Sequence, residues 1–157
     1  MRAAFCGSFD PPTLGHLDII ERASTLFDEL LVLVATNSSK SSMFSMEQRL
    51  AWLREACQDL PNVTCKIQKG LIVQACQEHE IHVLVRGIRN EQDCAYEQNM
   101  AFMNAYLDPN IETICLFTKP EYDLFSSSNV RELLKYHQNI QPFVPACVFK
   151  SLEKERT

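Results

Sequence analysis

Short apolar runs alternate with helix-periodic segments along the whole chain, and this alternation constrains the fold more than any other feature. The runs Ala3–Cys6, Leu30–Thr36, Val63–Ile67, Ile81–Val85 and Ile111–Phe117 read as strands. Helices are expected at about 14–27, 46–59, 71–79, 92–106, 128–137 and 146–155, the third of them short. Ser45 and Gln48 have capping-box spacing ahead of the second helix, and Pro61 closes that segment. Strands that are apolar almost throughout belong in a parallel sheet with helices on both faces. The expected fold class is α/β, an open parallel five-stranded sheet, as one domain over 1–157. Right-handed crossovers then bring every strand's C-terminal end to one edge, where open sheets of this kind bind ligands.

Composition narrows the partners. Fifteen basic and twenty acidic residues leave a net charge of −5, so broad electrostatic capture of nucleic acid is not expected. No apolar run approaches the ~20 residues of a membrane helix. The start, Met1 to Gly7, passes straight into a strand-like run, which leaves no room for a signal segment. The seven cysteines are odd in number, show no C-x-x-C spacing and often sit in apolar runs. Six of them read as small core hydrophobes, and a reduced cytoplasmic location is expected.

Polar residues collect where the strands end. Cys6-Gly7-Ser8-Phe9-Asp10-Pro11-Pro12-Thr13-Leu14-Gly15-His16 follows the first strand, and Thr36–Lys40 follows the second. Arg86-Gly87-Ile88-Arg89 follows the fourth, and Lys119–Tyr122 leads from the fifth into Ser126–Arg131. Thr13 has the position of an N-cap, but His16 stands where a capping box wants Glu or Gln. Arg131 falls in the first turn after a serine cap, where a cation is mildly unfavourable. Both departures make sense if an anion occupies the helix N-termini. Asp10, beside Pro11 and Pro12, reads as a turn former before a metal ligand. There is no G-x-x-x-x-G-K-[ST] loop, no G-x-G-x-x-G and no G-x-S-x-G. Basic groups, a histidine and helix N-termini suit charge stabilisation of a phosphoryl centre.

Gly7-Ser8-Phe9-Asp10-Pro11-x-Thr13-x-Gly15-His16 resembles the T-x-G-H signature of the nucleotidylyltransferase superfamily. Ser126-Ser127-Ser128-Asn129-Val130-Arg131 resembles its second signature, with Phe125 in place of isoleucine. Arg86–Arg89, Tyr96-Glu97 and Met103-Asn104 extend the likeness to the bacterial phosphopantetheine adenylyltransferases over nearly the whole chain. That resemblance implies a Rossmann-like sheet and adenylyl transfer from ATP to 4′-phosphopantetheine. It gives His16 transition-state stabilisation and places Lys40 and Arg89 with it as catalytic. ATP would meet Ser8, Phe9, His16, Gly87, Ile88, Arg89, Glu97, Tyr122, Asp123, Leu124, Phe125, Ser126, Ser127 and Ser128. The acceptor would meet Ser8, Lys40, Ile72 and Arg86, with Leu71, Met103 and Asn104 along its arm. The resemblance also implies Mg²⁺ on the ATP phosphates, feedback inhibition by coenzyme A and a homohexamer. Cys6, Ser8, Leu14 and Ser41 stand where the family more often has proline, threonine, asparagine and lysine. Two alternatives stay open: a sister enzyme acting on nicotinate mononucleotide or glycerol phosphate, and a regulatory nucleotide-binding module without turnover.

Overall fold

A computed structural model of the chain describes residues 1–35 and 41–156. Five strands, β1 (Arg2–Gly7), β2 (Glu29–Ala35), β3 (Val63–Gln68), β4 (Val83–Ile88) and β5 (Glu112–Phe117), form one sheet in the order β3-β2-β1-β4-β5. Every pairing is parallel. The helices are α1 (Leu14–Leu26), α2 (Met46–Ala56), α3 (Ile72–Glu78), α4 (Glu91–Leu107), α5 (Ser127–Lys135) and α6 (Ala146–Arg156). A 3₁₀ turn, Pro120–Tyr122, precedes α5. No helix among the described residues is long and apolar enough to cross a membrane.

Alternation along the central strands builds two cores. Ala3 and Phe5 of β1 pack with Val32 and Val34 of β2, Val83 and Val85 of β4, Ile19, Ile20 and Ala23 of α1, and Leu53 of α2. Ala4 and Cys6 face the other way, toward Leu31, Leu33 and Leu84 and toward Val73, Ala75 and Cys76 of α3. A third cluster joins Trp52 of α2 to Val130 of α5 and to Val148 and Leu152 of α6. The expected α/β sheet with helices on both faces is therefore what the chain forms. The chain leaves β1 toward β2 and β3, then jumps back to place β4 on β1's other side. That reversal opens a crevice beyond the carboxyl ends of β1 and β4, the usual ligand position of an open sheet.

Three expectations need correction. β4 runs Val83–Ile88 and not Ile81–Val85, so Arg86 and Gly87 lie inside the strand. Polar Arg86 and a glycine look like a loop in sequence, yet Gly87 continues the ladder opposite Leu116. A Cβ on Gly87 would stand 3.2 Å from Ile19, so the glycine allows α1 to approach the sheet and is not a turn residue. Arg131 sits beyond the first turn of α5, whose cap is Ser126. Of the cysteines, only Cys6, Cys57, Cys65 and Cys76 are buried. Cys94 and Cys115 are exposed and Cys147 is intermediate, so six core positions were too many.

Candidate active site

The turn after β1 carries the densest set of constraints. Phe9 is fully buried with φ of 49°, a left-handed backbone that a bulky residue adopts only at a cost of about 1 kcal/mol or more. Its ring packs edge-on against Phe5 at 5.5 Å and against His16 at 5.0 Å. A Cβ on Gly7 would meet that ring at 3.2 Å, so Gly7 is what lets Phe9 tuck beneath the turn. Arg49, 1% exposed on α2, donates from Nη1 to the Ser8 carbonyl at 2.5 Å and from Nε to the Ser45 carbonyl. Asp10 accepts from the backbone N–H groups of Met43 and Phe44, at 2.8 and 2.9 Å through its two oxygens. Asp10 thus ties the turn after β1 to the segment before α2, a long-range link that its neighbouring prolines do not indicate.

His16 answers the capping question directly. The Thr13 hydroxyl accepts from the His16 N–H, and His16 Nδ1 accepts from the Thr13 N–H at 3.0 Å. The imidazole therefore completes the capping box in place of a Glu or Gln. Because Nδ1 is an acceptor, the neutral ring carries its proton on Nε2. Burial, followed by the nearby Arg89 and Arg86 cations, lowers the His16 pKa from 6.5 to about 4. The ring is then a neutral donor at pH 7, at the positive end of α1. The unfolded chain binds the proton first, so His16 weakens the fold as pH falls from 6.5 toward about 4. Histidine NMR should show one ring titrating near 4, and activity between pH 6 and 8 should show no step from this residue. A His16 titration near 6.5 would contradict the neutral-donor assignment.

Around His16 lies a crevice of about 290 Å³. The expected residues Ser8, Phe9, Arg86, Gly87, Arg89, Glu97, Tyr122, Phe125, Ser126, Ser127 and Ser128 line it with His16, and so does Arg131. Each arginine meets an acidic partner. Arg86 pairs with Glu97 through Nε at 2.6 Å and Nη2 at 2.7 Å, and its Nη1 donates to the Cys6 carbonyl. Burial alone would lower the Arg86 pKa, but the Glu97 contacts outweigh it and hold the value above its ordinary level. Arg89 pairs with Asp93. Arg131 donates to the Asp10 carbonyl at 2.6 Å and to the Ser128 hydroxyl, 3.8 Å from the Asp10 carboxylate. The Ser127 hydroxyl donates to the Pro11 carbonyl, joining the start of α5 to the turn before α1. Two helix N-termini therefore open on one crevice.

Other expected residues lie elsewhere. Ile88 is a buried strand residue, and Ile72 packs against the core on the α3 face of the sheet. Asp123 is exposed, and Leu124 borders a separate apolar hollow with Leu133, Tyr136 and Phe143. Leu71 and Met103 are exposed and Asn104 is half-buried. Lys40 is outside the described residues. Lys119 does not line the crevice; it holds the buried Asp18 at 2.8 Å. Ile19, Thr118 and Asp93 also line the crevice, with Arg49 behind it, and none of them is among the expected residues. Only Asp93 left a signal, because it stands four residues before Glu97 and so shares a helix face with it. Cys6 lines the crevice, but burial pushes its thiol up to about 12, far from a reactive thiolate.

A parallel sheet with helix N-termini, a neutral histidine and paired arginines at its switch point defines an α/β nucleotidyltransferase. The cytidylyltransferase-like family model matches residues 4–133. A phosphopantetheine adenylyltransferase of Lactiplantibacillus plantarum is 45% identical over 152 residues, covering 97% of this chain and 93% of that protein. One from Levilactobacillus brevis is 43% identical, covering 96% and 93%. The chain belongs to the phosphopantetheine adenylyltransferase family within the cytidylyltransferase-like proteins. Solved structures agree on the fold. A proposed nicotinate-nucleotide adenylyltransferase from Vibrio parahaemolyticus superposes with a TM-score of 0.68 at 20% identity, covering 98% of this chain and 92% of that one. A lipopolysaccharide core biosynthesis protein from Thermoplasma volcanium gives 0.54 at 24% identity, covering 76% and 96%.

Proposed function

We propose that this chain transfers the adenylyl group of ATP to the phosphate of 4′-phosphopantetheine, giving dephospho-coenzyme A and pyrophosphate. The observation that carries the chemistry is His16, a neutral Nε2–H donor at a helix N-terminus, facing a crevice with three arginines. The full-length relatives support phosphopantetheine as acceptor over nicotinate mononucleotide or glycerol phosphate. ATP would lie with its phosphates between the starts of α1 and α5, near Ser8, His16, Arg89 and Ser126–Ser128. Arg86, with Ser8 and Lys40, would hold the acceptor phosphate.

The acceptor phosphate is anionic at neutral pH and needs no general base. It would attack the α-phosphorus in line while pyrophosphate leaves. His16 donates to the charge that develops on the α-phosphoryl oxygens, and the arginines spread the remainder. With Nδ1 accepting from Thr13 and a proton on Nε2, the imidazole has no lone pair to offer as nucleophile. That favours direct transfer over an adenylyl-histidine.

Mg²⁺ would travel on the ATP phosphates and neutralise part of their charge. The crevice carboxylates Asp93 and Glu97 are engaged by arginines, and among the described residues no set of three His, Cys, Asp or Glu could hold a metal. Feedback inhibition by coenzyme A, a cytoplasmic location and a hexamer belong to the same proposal. Self-association is supported by Phe102, Met103 and Tyr106 of α4, which are more than half exposed.

Incubation with Mg-ATP and phosphopantetheine should yield pyrophosphate and dephospho-coenzyme A in equal amounts. In a parallel arm without acceptor, labelled pyrophosphate should not enter ATP. Absence of product would reject the reaction, and acceptor-free exchange would reject direct transfer.

A further inference from the structure

Three arginines line the crevice, but their hydrogen bonds sort them differently. Arg86 uses all three guanidinium nitrogens, two on Glu97 and one on the Cys6 carbonyl. Arg131 is bound to the Asp10 carbonyl and the Ser128 hydroxyl. Arg89 stands one residue beyond β4, on the two-residue turn into α4, where no ladder restrains it. Its Nε and Nη2 both go to Asp93, at 2.8 and 3.2 Å, and Nη1 has no partner among the described residues. The side chains of this pair are 32% and 25% exposed, so each has one side against the protein and one open to the crevice.

Asp93 is itself fixed. It is the third residue of α4, and its N–H donates to the side chain of the cap residue Asn90 at 2.9 Å. Its Oδ2 also accepts from the Arg89 backbone N–H at 3.1 Å. One carboxylate thus grips both ends of Arg89, main chain and guanidinium. The planar fork then points Nη1 away from Asp93, as the bidentate geometry of an arginine–carboxylate pair requires. Glu97, four residues on, holds Arg86 from the same helix face, so α4 carries two carboxylate grips on β4's polar end. Arg89 and His16 line the same crevice, and after burial the Arg89 cation is the next cause that lowers the His16 pKa.

We propose that Asp93 is a positioning residue for the nucleotide phosphates: it orients Arg89 so that the free edge of the guanidinium meets the polyphosphate. The identity of the ligand as ATP rests on the adenylyl-transfer reading; the coupling between the two residues does not. An arginine on so short a turn would otherwise sample many rotamers, and ordering it before the ligand arrives reduces the entropy lost on binding. Asp93 would reach the phosphates only through Arg89.

The test is a double-mutant cycle on ATP binding, read by calorimetry without acceptor so that no turnover is needed. Asp93→Asn keeps an oxygen for the Arg89 backbone N–H and removes the charge that grips the guanidinium. It is expected to weaken ATP binding roughly tenfold when Arg89 is present. In an Arg89→Ala background the same change should have less than about a twofold effect. Asp93→Glu should regain part of the loss. Equal weakening in both backgrounds would overturn the proposal, and so would tighter ATP binding by Asp93→Asn, which would make Asp93 a competitor of the phosphates. Turnover of the wild type with phosphopantetheine is measured separately. Its failure would count against the adenylyl-transfer reading and leave the binding cycle to decide the role of Asp93.

Discussion

His16→Ala is expected to lower kcat by about 10²–10³-fold while changing ATP affinity only a few-fold. The reason lies in when the Nε2–H finds its partner. Charge builds on the α-phosphoryl oxygens as the leaving pyrophosphate separates, so a fixed donor gains most in the transition state. The loss corresponds to roughly 2.7–4 kcal/mol of transition-state stabilisation. His16 also completes the cap of α1, so the alanine variant should lose about 0.5–1 kcal/mol of stability as well. A second variant separates the two effects. Gln at this position is an ordinary capping-box residue and can take the Thr13 N–H, so His16→Gln should regain stability. Its amide N–H is aimed differently from the imidazole Nε2–H, so kcat should remain low. Equal losses of ATP affinity and turnover in His16→Ala would instead make the histidine a ground-state ligand.

The histidine was legible because it broke a local rule. A capping position that lacks its usual carboxamide or carboxylate is a local fact, and the structure shows the imidazole closing the capping box through Nδ1. The sheet was legible for a related reason: nearly continuous apolar strands separated by helical periods leave few other arrangements. What failed was long-range or depended on facing. Arg49 lies mid-helix with nothing to mark it, and its partner Ser8 is 41 residues away. Gly87 lies inside β4 and not after it, and its missing side chain admits Ile19 against the strand. Cys115 sits among apolar neighbours but faces outward, because membership of an apolar run does not say which side of an element a residue takes. Helix α4 shows the same limit. Tyr96, Met100, Phe102, Met103 and Tyr106 are apolar and exposed, so its pattern could not indicate a buried face. Its informative residues were the carboxylates Asp93 and Glu97, and the resemblance had pointed to only one of them.

Glu97→Ala is expected to destabilise the fold by about 3 kcal/mol and to reduce kcat/KM by roughly 10²-fold. Glu97 has a side chain only 9% exposed and meets an Arg86 side chain that is 26% exposed. Removing the carboxylate leaves the guanidinium with the Cys6 carbonyl alone, in a place that solvates a cation poorly. The lower end of the usual range for a broken buried pair applies, because Arg86 keeps some contact with solvent. Glu97→Gln preserves shape and one acceptor, so it should cost less, about 1.5 kcal/mol. The informative variant is the double replacement of Arg86→Met with Glu97→Leu. Two apolar side chains of similar volume remove the uncompensated charge, and urea unfolding should return to within about 1 kcal/mol of wild type. Turnover should stay low, because the crevice would have lost the cation proposed to orient the acceptor phosphate. An unchanged urea midpoint in Glu97→Ala would show that water already satisfies Arg86 and that the pair contributes little to the fold. Recovery of turnover along with stability in the double variant would mean that the pair serves only as a strut between β4 and α4.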